Sequence, residues 1–179
     1  MRDNMGINAG GHMGFGEAIG ACFRKYVVFS GRARRSEYWY FYLFTVLASF
    51  AGQILDALIP GSGGKIPLFS GVLSLAFFLP SLAVTVRRLH DTNRSGWLYG
   101  GLFIYALLGL VAVFATFAGT SWGAGKPDFS GPGVIVLIVW ALGFIAWGIF
   151  LFVLMVLDGN VGANTYGPDP KGPDVAVFS

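Results

Sequence analysis

Six arginines fall in two short runs, and a guanidinium is the side chain best shaped to hold a phosphate or a carboxylate through paired hydrogen bonds. The first run is Phe29-Ser-Gly-Arg-Ala-Arg-Arg-Ser-Glu-Tyr-Trp-Tyr-Phe41, with Arg32, Arg34, Arg35, Glu37 and Trp39. The second is Arg87-Arg-Leu-His-Asp-Thr-Asn-Arg-Ser-Gly-Trp97, with Arg87, Arg88, His90, Asp91 and Arg94. A third polar stretch, Gly162-Ala-Asn-Thr-Tyr-Gly-Pro-Asp-Pro170, supplies Asn164, Tyr166 and Asp169. Two chemistries suit these residues. The arginines can form an anion site at headgroup depth, or they can fix topology and bond to nearby acids. His90 titrates near neutral pH, but adjacent residues on a helix do not face each other. No Ser or Cys nucleophile comes with a recognisable motif, so catalysis is not expected. His12 and Cys22 belong to no ligand-spaced cluster, and no metal or cofactor is expected. Gly61-Ser-Gly-Gly64 lacks the Lys-Ser/Thr of a phosphate loop, and no nucleic-acid motif is present.

The elements that must position these residues are apolar. The 179 residues are 55% hydrophobic and 12% charged, with a mean hydropathy of +0.66. A soluble domain carries about 25% charged residues, so lipid is the solvent that suits this surface. A helix crossing the membrane needs about 20 mostly apolar residues. Four stretches qualify, at about 38–59, 69–86, 97–118 and 134–157, and none contains Lys or Arg. Upstream, Phe15, Ile19, Cys22, Phe23, Tyr26 and Val27 recur at helical spacing. They predict an amphipathic helix, either lying in the interface or packed on the end of the bundle. The expected fold is therefore an all-α membrane protein with four transmembrane helices and an N-terminal amphipathic, interfacial helix. Residues 1–14 are read as a disordered tail, 15–170 as the membrane domain and 171–179 as a C-terminal tail.

Basic residues set the orientation. Arg2, Arg24, Lys25, Arg32, Arg34, Arg35, Arg87, Arg88, Arg94 and Lys171 fall on one side, against Lys65 and Lys126 on the other. The positive-inside rule then places both termini and the middle loop in the cytoplasm of a bacterial inner membrane. Inside the spans, Ala48-x-x-x-Gly52 and Ala115-x-x-x-Gly119 allow close helix approach. Pro80 removes a backbone donor and clashes with the Ala76 carbonyl, predicting a kink. Asp56 lies about one turn from the far end of its span and is expected to reach water. Trp140 and Trp147 are read as packing residues.

The three motifs together resemble the bacterial inner-membrane family catalogued as Domain of Unknown Function 805. Its members share an F-x-G-R-x-x-R-x-E-[YF]-W segment, an R-R-[LH]-H-D-x-x-[RK]-S-G-W loop and an N-x-Y-G-x-D-P tail. The match runs from about Phe23 to Pro170. Asn93 stands where Gly is usual and Thr165 where a basic residue is usual; Asn tolerates the left-handed conformation, so the turn is retained. The resemblance implies an integral inner-membrane protein and brings no activity with it. The expected cytoplasmic cluster comprises Arg32, Arg35, Glu37, Trp39, Arg87, Arg88, His90, Asp91, Arg94, Asn164, Tyr166 and Asp169. It is held by pairs joining Glu37 or Asp91 to Arg32, Arg35 or Arg88, with Asp169 docking the tail. Such a cluster suits anionic membrane lipids or a protein partner. The competing functions are a small transporter or channel built as a homo-oligomer, and an enzyme acting on lipid headgroups through His90.

Overall fold

In the computed structural model the described residues are 13–59, 67–118, 122–123, 126–127 and 132–171. The expectations for residues 1–12, Gly61–Gly64, Gly119 and 172–179 lie outside them. Among the described residues five helices form: α1 (Phe15–Arg24), α2 (Arg35–Ala57), α3 (Leu68–Asp91), α4 (Trp97–Ala118) and α5 (Pro132–Val156). A two-residue antiparallel pair, β1 (Trp122–Gly123) with β2 (Lys126–Pro127), lies between α4 and α5. Helices α2 to α5 are each long and apolar enough to cross a membrane.

The chain divides into two compact units. One holds α1, α2, α3 and the tail from Leu157, and the other holds α4 and α5. In the second unit, glycines on one helix receive aromatic rings from the other. A Cβ at Gly109 would sit inside the Trp140 indole, and one at Gly101 would press on Trp147 at 3.0 Å. Trp140 Nε1 donates to the Tyr105 carbonyl at 3.0 Å, and the Tyr105 hydroxyl returns a bond to the Trp140 carbonyl at 3.2 Å. Trp140 and Trp147 thus pack between helices rather than marking an interface.

In the first unit α2 and α3 form an antiparallel pair with α1 against them. Glu17 at the start of α1 accepts a bond from the Gly14 amide at 2.9 Å, so a first-turn donor is satisfied. At the α2–α3 turn, Gly52 allows close approach: a Cβ there would meet Leu73 at 2.9 Å and the Ser70 backbone at 3.2 Å. Asp56 differs from its expected role. It is buried and accepts bonds from the Phe69 amide at 2.7 Å and the Ser70 amide at 3.0 Å, with the Ser70 hydroxyl adding a third. Pro67 precedes α3 and offers no capping side chain. A carboxylate from the neighbouring helix fills that place, where orphan amides and the helix dipole both favour a negative charge. The charge is therefore consumed by architecture and does not reach outward to water.

Pro80 lies inside α3 and leaves the Ala76 carbonyl without its helical donor. The Tyr26 hydroxyl, just beyond α1, donates to that carbonyl. Phe23 meanwhile packs edge-on against Phe41 and Phe44, at 5.8 and 6.0 Å between ring centroids. In an apolar setting an orphaned carbonyl costs roughly 1–3 kcal/mol. Tyr26→Phe is expected to lower unfolding stability in detergent by about that amount. In a Pro80→Ala background, where residue 80 regains its N–H, the same change should cost much less. Equal costs in both backgrounds would refute the link.

Candidate functional site

The Arg-rich motifs converge at the end of the first unit away from Asp56. Helix α3 continues further than its apolar pattern suggests, through Arg87-Arg-Leu-His-Asp91, so half of the expected middle loop is helical. It stops at Asn93, whose φ of 56° is left-handed, a conformation Asn tolerates better than most residues. The helix runs on because its polar last turns find partners on three other segments.

Asp91 is the hub. The Arg32 guanidinium binds Oδ1 through both Nε and Nη2 at 2.9 Å, and Arg88 Nη1 binds Oδ2. All three side chains are almost wholly buried. The backbone closes around them. Arg32 also donates to the carbonyls of Asn160 and Gly162, Arg88 to that of Leu157, and the Asn160 amide to the Asp91 carbonyl at 2.8 Å. Gly159 lies so close that a Cβ there would overlap the Asp91 carboxylate.

A second buried pair lies deeper. Arg87 Nη2 meets Glu37 Oε1 at 2.9 Å, while its Nη1 donates to the carbonyls of Lys25 and Val28 at 3.2 and 3.0 Å. The Ala33 amide bonds the Arg87 carbonyl at 3.0 Å. Arg87 Nε is buried with no hydrogen-bond partner. Cys22 Sγ lies 3.9 Å from Glu37 Oε1. Burial pushes its thiol up to about 12, with the Glu37 carboxylate adding to the effect. A thiol that stays protonated at neutral pH is a poor nucleophile, which fits a packing residue.

His90 faces away from Asp91. Its Nδ1 lies 3.0 Å from the Gly31 carbonyl, and its ring stacks on Tyr166 at 3.9 Å and 5°. Gly31 has a φ of 83°, a backbone conformation that a side chain would strain. Asn164 Nδ2 donates to the His90 carbonyl at 2.8 Å, and the turn Asn164–Gly167 closes through two backbone bonds. Thr165 and Asn93, the two departures from the resembled pattern, hydrogen-bond each other.

Other expected residues take other places. Arg35 pairs with Asp158 at 3.0 Å on the exposed rim, where Lys171 joins the same carboxylate at 3.1 Å. Bonds from Lys171 and Arg35 hold the Asp158 carboxyl below its ordinary range. Asp169 does not dock the tail onto an arginine. It caps the tail's own turn, accepting from the amides of Gly162 at 2.9 Å and Lys171 at 2.8 Å, and these bonds hold its carboxyl low. Trp39 stacks edge-on with Tyr38 and Tyr42. Arg94 is exposed and forms no ion pair among the described residues. Sequence reasoning missed Asp158, Gly159 and Asn160. Their signal was a polar Asp-Gly-Asn directly after the last apolar span.

The model of the family described as protein of unknown function (DUF805) matches residues 26–168, which includes all three motifs. The chain belongs to that family. Relatives within it are the inner membrane protein YhaI of Escherichia coli K12, 35% identical over 148 residues, and the inner membrane protein YhaH of the same strain, 33% identical over 150. The alignments cover 83% of this chain and 90% and 91% of those proteins. No solved structure matches. With four apolar spans and inner-membrane relatives, this DUF805 chain is an integral inner-membrane protein.

Proposed function

We propose that the protein is a non-enzymatic inner-membrane protein whose Arg-rich end faces the cytoplasm and holds anionic lipid headgroups on a basic rim. One observation carries this reading: the buried arginines are engaged internally, and the surplus charge lies outside them. Leaving aside Asp56, which caps α3, the described part of this unit has nine basic side chains against five acidic ones. Arg32, Arg87 and Arg88 are committed to Asp91, Glu37 and backbone carbonyls. Arg24, Lys25 and Arg94 are exposed and form no ion pair among the described residues. A basic residue near an anionic leaflet contributes about 1 kcal/mol of attraction, and the asymmetry of Lys and Arg along the chain favours this end in the cytoplasm. The Asp56 carboxylate, the acid in the described spans best placed for an ion relay, is occupied by helix capping.

Two measurements test the reading. The tip residue Val161 is 96% exposed, and buried Cys22 leaves little background for thiol labelling. A cysteine at Ser62 is expected to react with an impermeant thiol reagent in intact cells with a permeable outer membrane, and Val161→Cys only after lysis. Labelling of Val161→Cys in intact cells would reverse the orientation. Native mass spectrometry should then show phosphatidylglycerol retained where phosphatidylcholine is stripped, with that preference lost in Arg24→Gln/Lys25→Gln/Arg94→Gln. Equal retention of the two lipids would contradict headgroup binding, and the same spectra read the stoichiometry.

A further inference from the structure

We infer that the end of α1 and the segment Val27-Val28-Phe29 form an immersed anchor, seated at the acyl-chain boundary of the leaflet rather than on the membrane surface. The inference depends on the chain's place in the membrane and is independent of headgroup binding by the rim.

Depth comes first. Tyr26 reaches the Ala76 carbonyl, and Ala76 lies eight residues into a 24-residue helix. At 1.5 Å per residue that helix is about 36 Å long, and Ala76 is some 12 Å from its start. The hydrocarbon core is about 30 Å thick, so the Tyr26 hydroxyl ends well inside it. Phe23 confirms the level by packing on Phe41, Phe44 and Phe77, all within the spans.

Surface composition comes second. Val27, Val28 and Phe29 are 57%, 41% and 37% exposed, three consecutive apolar residues left partly uncovered by the described residues. Helices α2 and α3, against which α1 packs, carry exposed apolar residues as well, among them Leu43, Val46 and Phe78.

The backbone supplies the third argument. Irregular chain is tolerated at membrane depth only where its polar groups find partners within the protein. Here they do. Arg87, itself buried, turns one guanidinium nitrogen to the carbonyls of Lys25 and Val28, and the Val28 amide bonds the Lys25 carbonyl at 3.2 Å. A loop in water would have no need of a buried charge to satisfy its carbonyls. Arg24 and Lys25, at the head of the segment, have stems long enough to snorkel to the headgroups.

The test uses the full chain in vesicles of phosphatidylethanolamine and phosphatidylglycerol, with a bimane probe on Val28→Cys. Val46→Cys, on the exposed flank of α2, is the lipid reference, and Val161→Cys is the aqueous one. Lipids brominated midway along the acyl chain are expected to quench the Val28 probe within about two-fold of the Val46 probe, and aqueous iodide to leave it nearly unquenched. A Val28 probe quenched by iodide like that at Val161 overturns the inference. Val27→Cys provides the same reading should Val28→Cys fold poorly. Quenching by bromolipid together with equal retention of the two lipids by mass would uphold the anchor and reject the headgroup reading.

Discussion

Replacing Asp91 with alanine is expected to destabilise the protein by about 5 kcal/mol, the upper end for a broken buried ion pair. Two guanidiniums, those of Arg32 and Arg88, lose their shared carboxylate at once, and both are buried where water cannot replace it. Reversible unfolding in mixed micelles gives the measurement. Asp91→Asn should recover only part of the loss, because a neutral amide accepts a bond without balancing the charge. Arg94→Ala, at an exposed position, should shift stability by under about 0.5 kcal/mol. Similar effects for Asp91→Ala and Arg94→Ala would mean that the cluster is solvated.

Gly159→Ala is expected to cost about 3 kcal/mol, although it adds a single methyl group. Overpacking usually costs about 1–3 kcal/mol, and here the methyl would occupy the space of the Asp91 carboxylate. The tail cannot simply retreat, because Arg32 and Arg88 hold the carbonyls of Leu157, Asn160 and Gly162. The two substitutions act on one network, so their effects should not add. Once Asp91 is alanine, Gly159→Ala should cost under about 1 kcal/mol. Full additivity would place Gly159 outside the network.

Much of this architecture was legible in sequence. Spans 97–118 and 134–157 agree with α4 and α5 to within two residues, because an uninterrupted apolar run has a single reading in lipid. Gly52 and Pro80 announced a close approach and a carbonyl in need of a donor, and both are found. The boundaries of α2 and α3 were less legible. Arg35–Glu37 and Arg87–Asp91 look like loop by hydropathy, yet they are helical because their charges meet across the fold. The partners themselves were the least legible. Glu37 pairs with Arg87 rather than with Arg32, Arg35 or Arg88, a choice set by how α2 faces α3. Asp56 looked peripheral because its distance from the span's end was counted along the helix, whereas its function comes from the start of α3. Gly159 carried no periodic signal, since its importance is the side chain it lacks.

The buried motif arginines Arg32, Arg87 and Arg88 are spent inside the protein as paired charges, and the Glu37–Arg87 pair tests this most directly. Unfolding free energies would be measured for Glu37→Met, Arg87→Met and the double variant. Each single change strands a buried charge and is expected to cost about 3 kcal/mol or more. The double variant replaces the pair with two apolar chains and should lose markedly less than the sum, with a coupling energy above about 2 kcal/mol. Single changes costing under about 1 kcal/mol, or a double equal to their sum, would show that the two groups do not pair, and the self-contained cluster would fall with them.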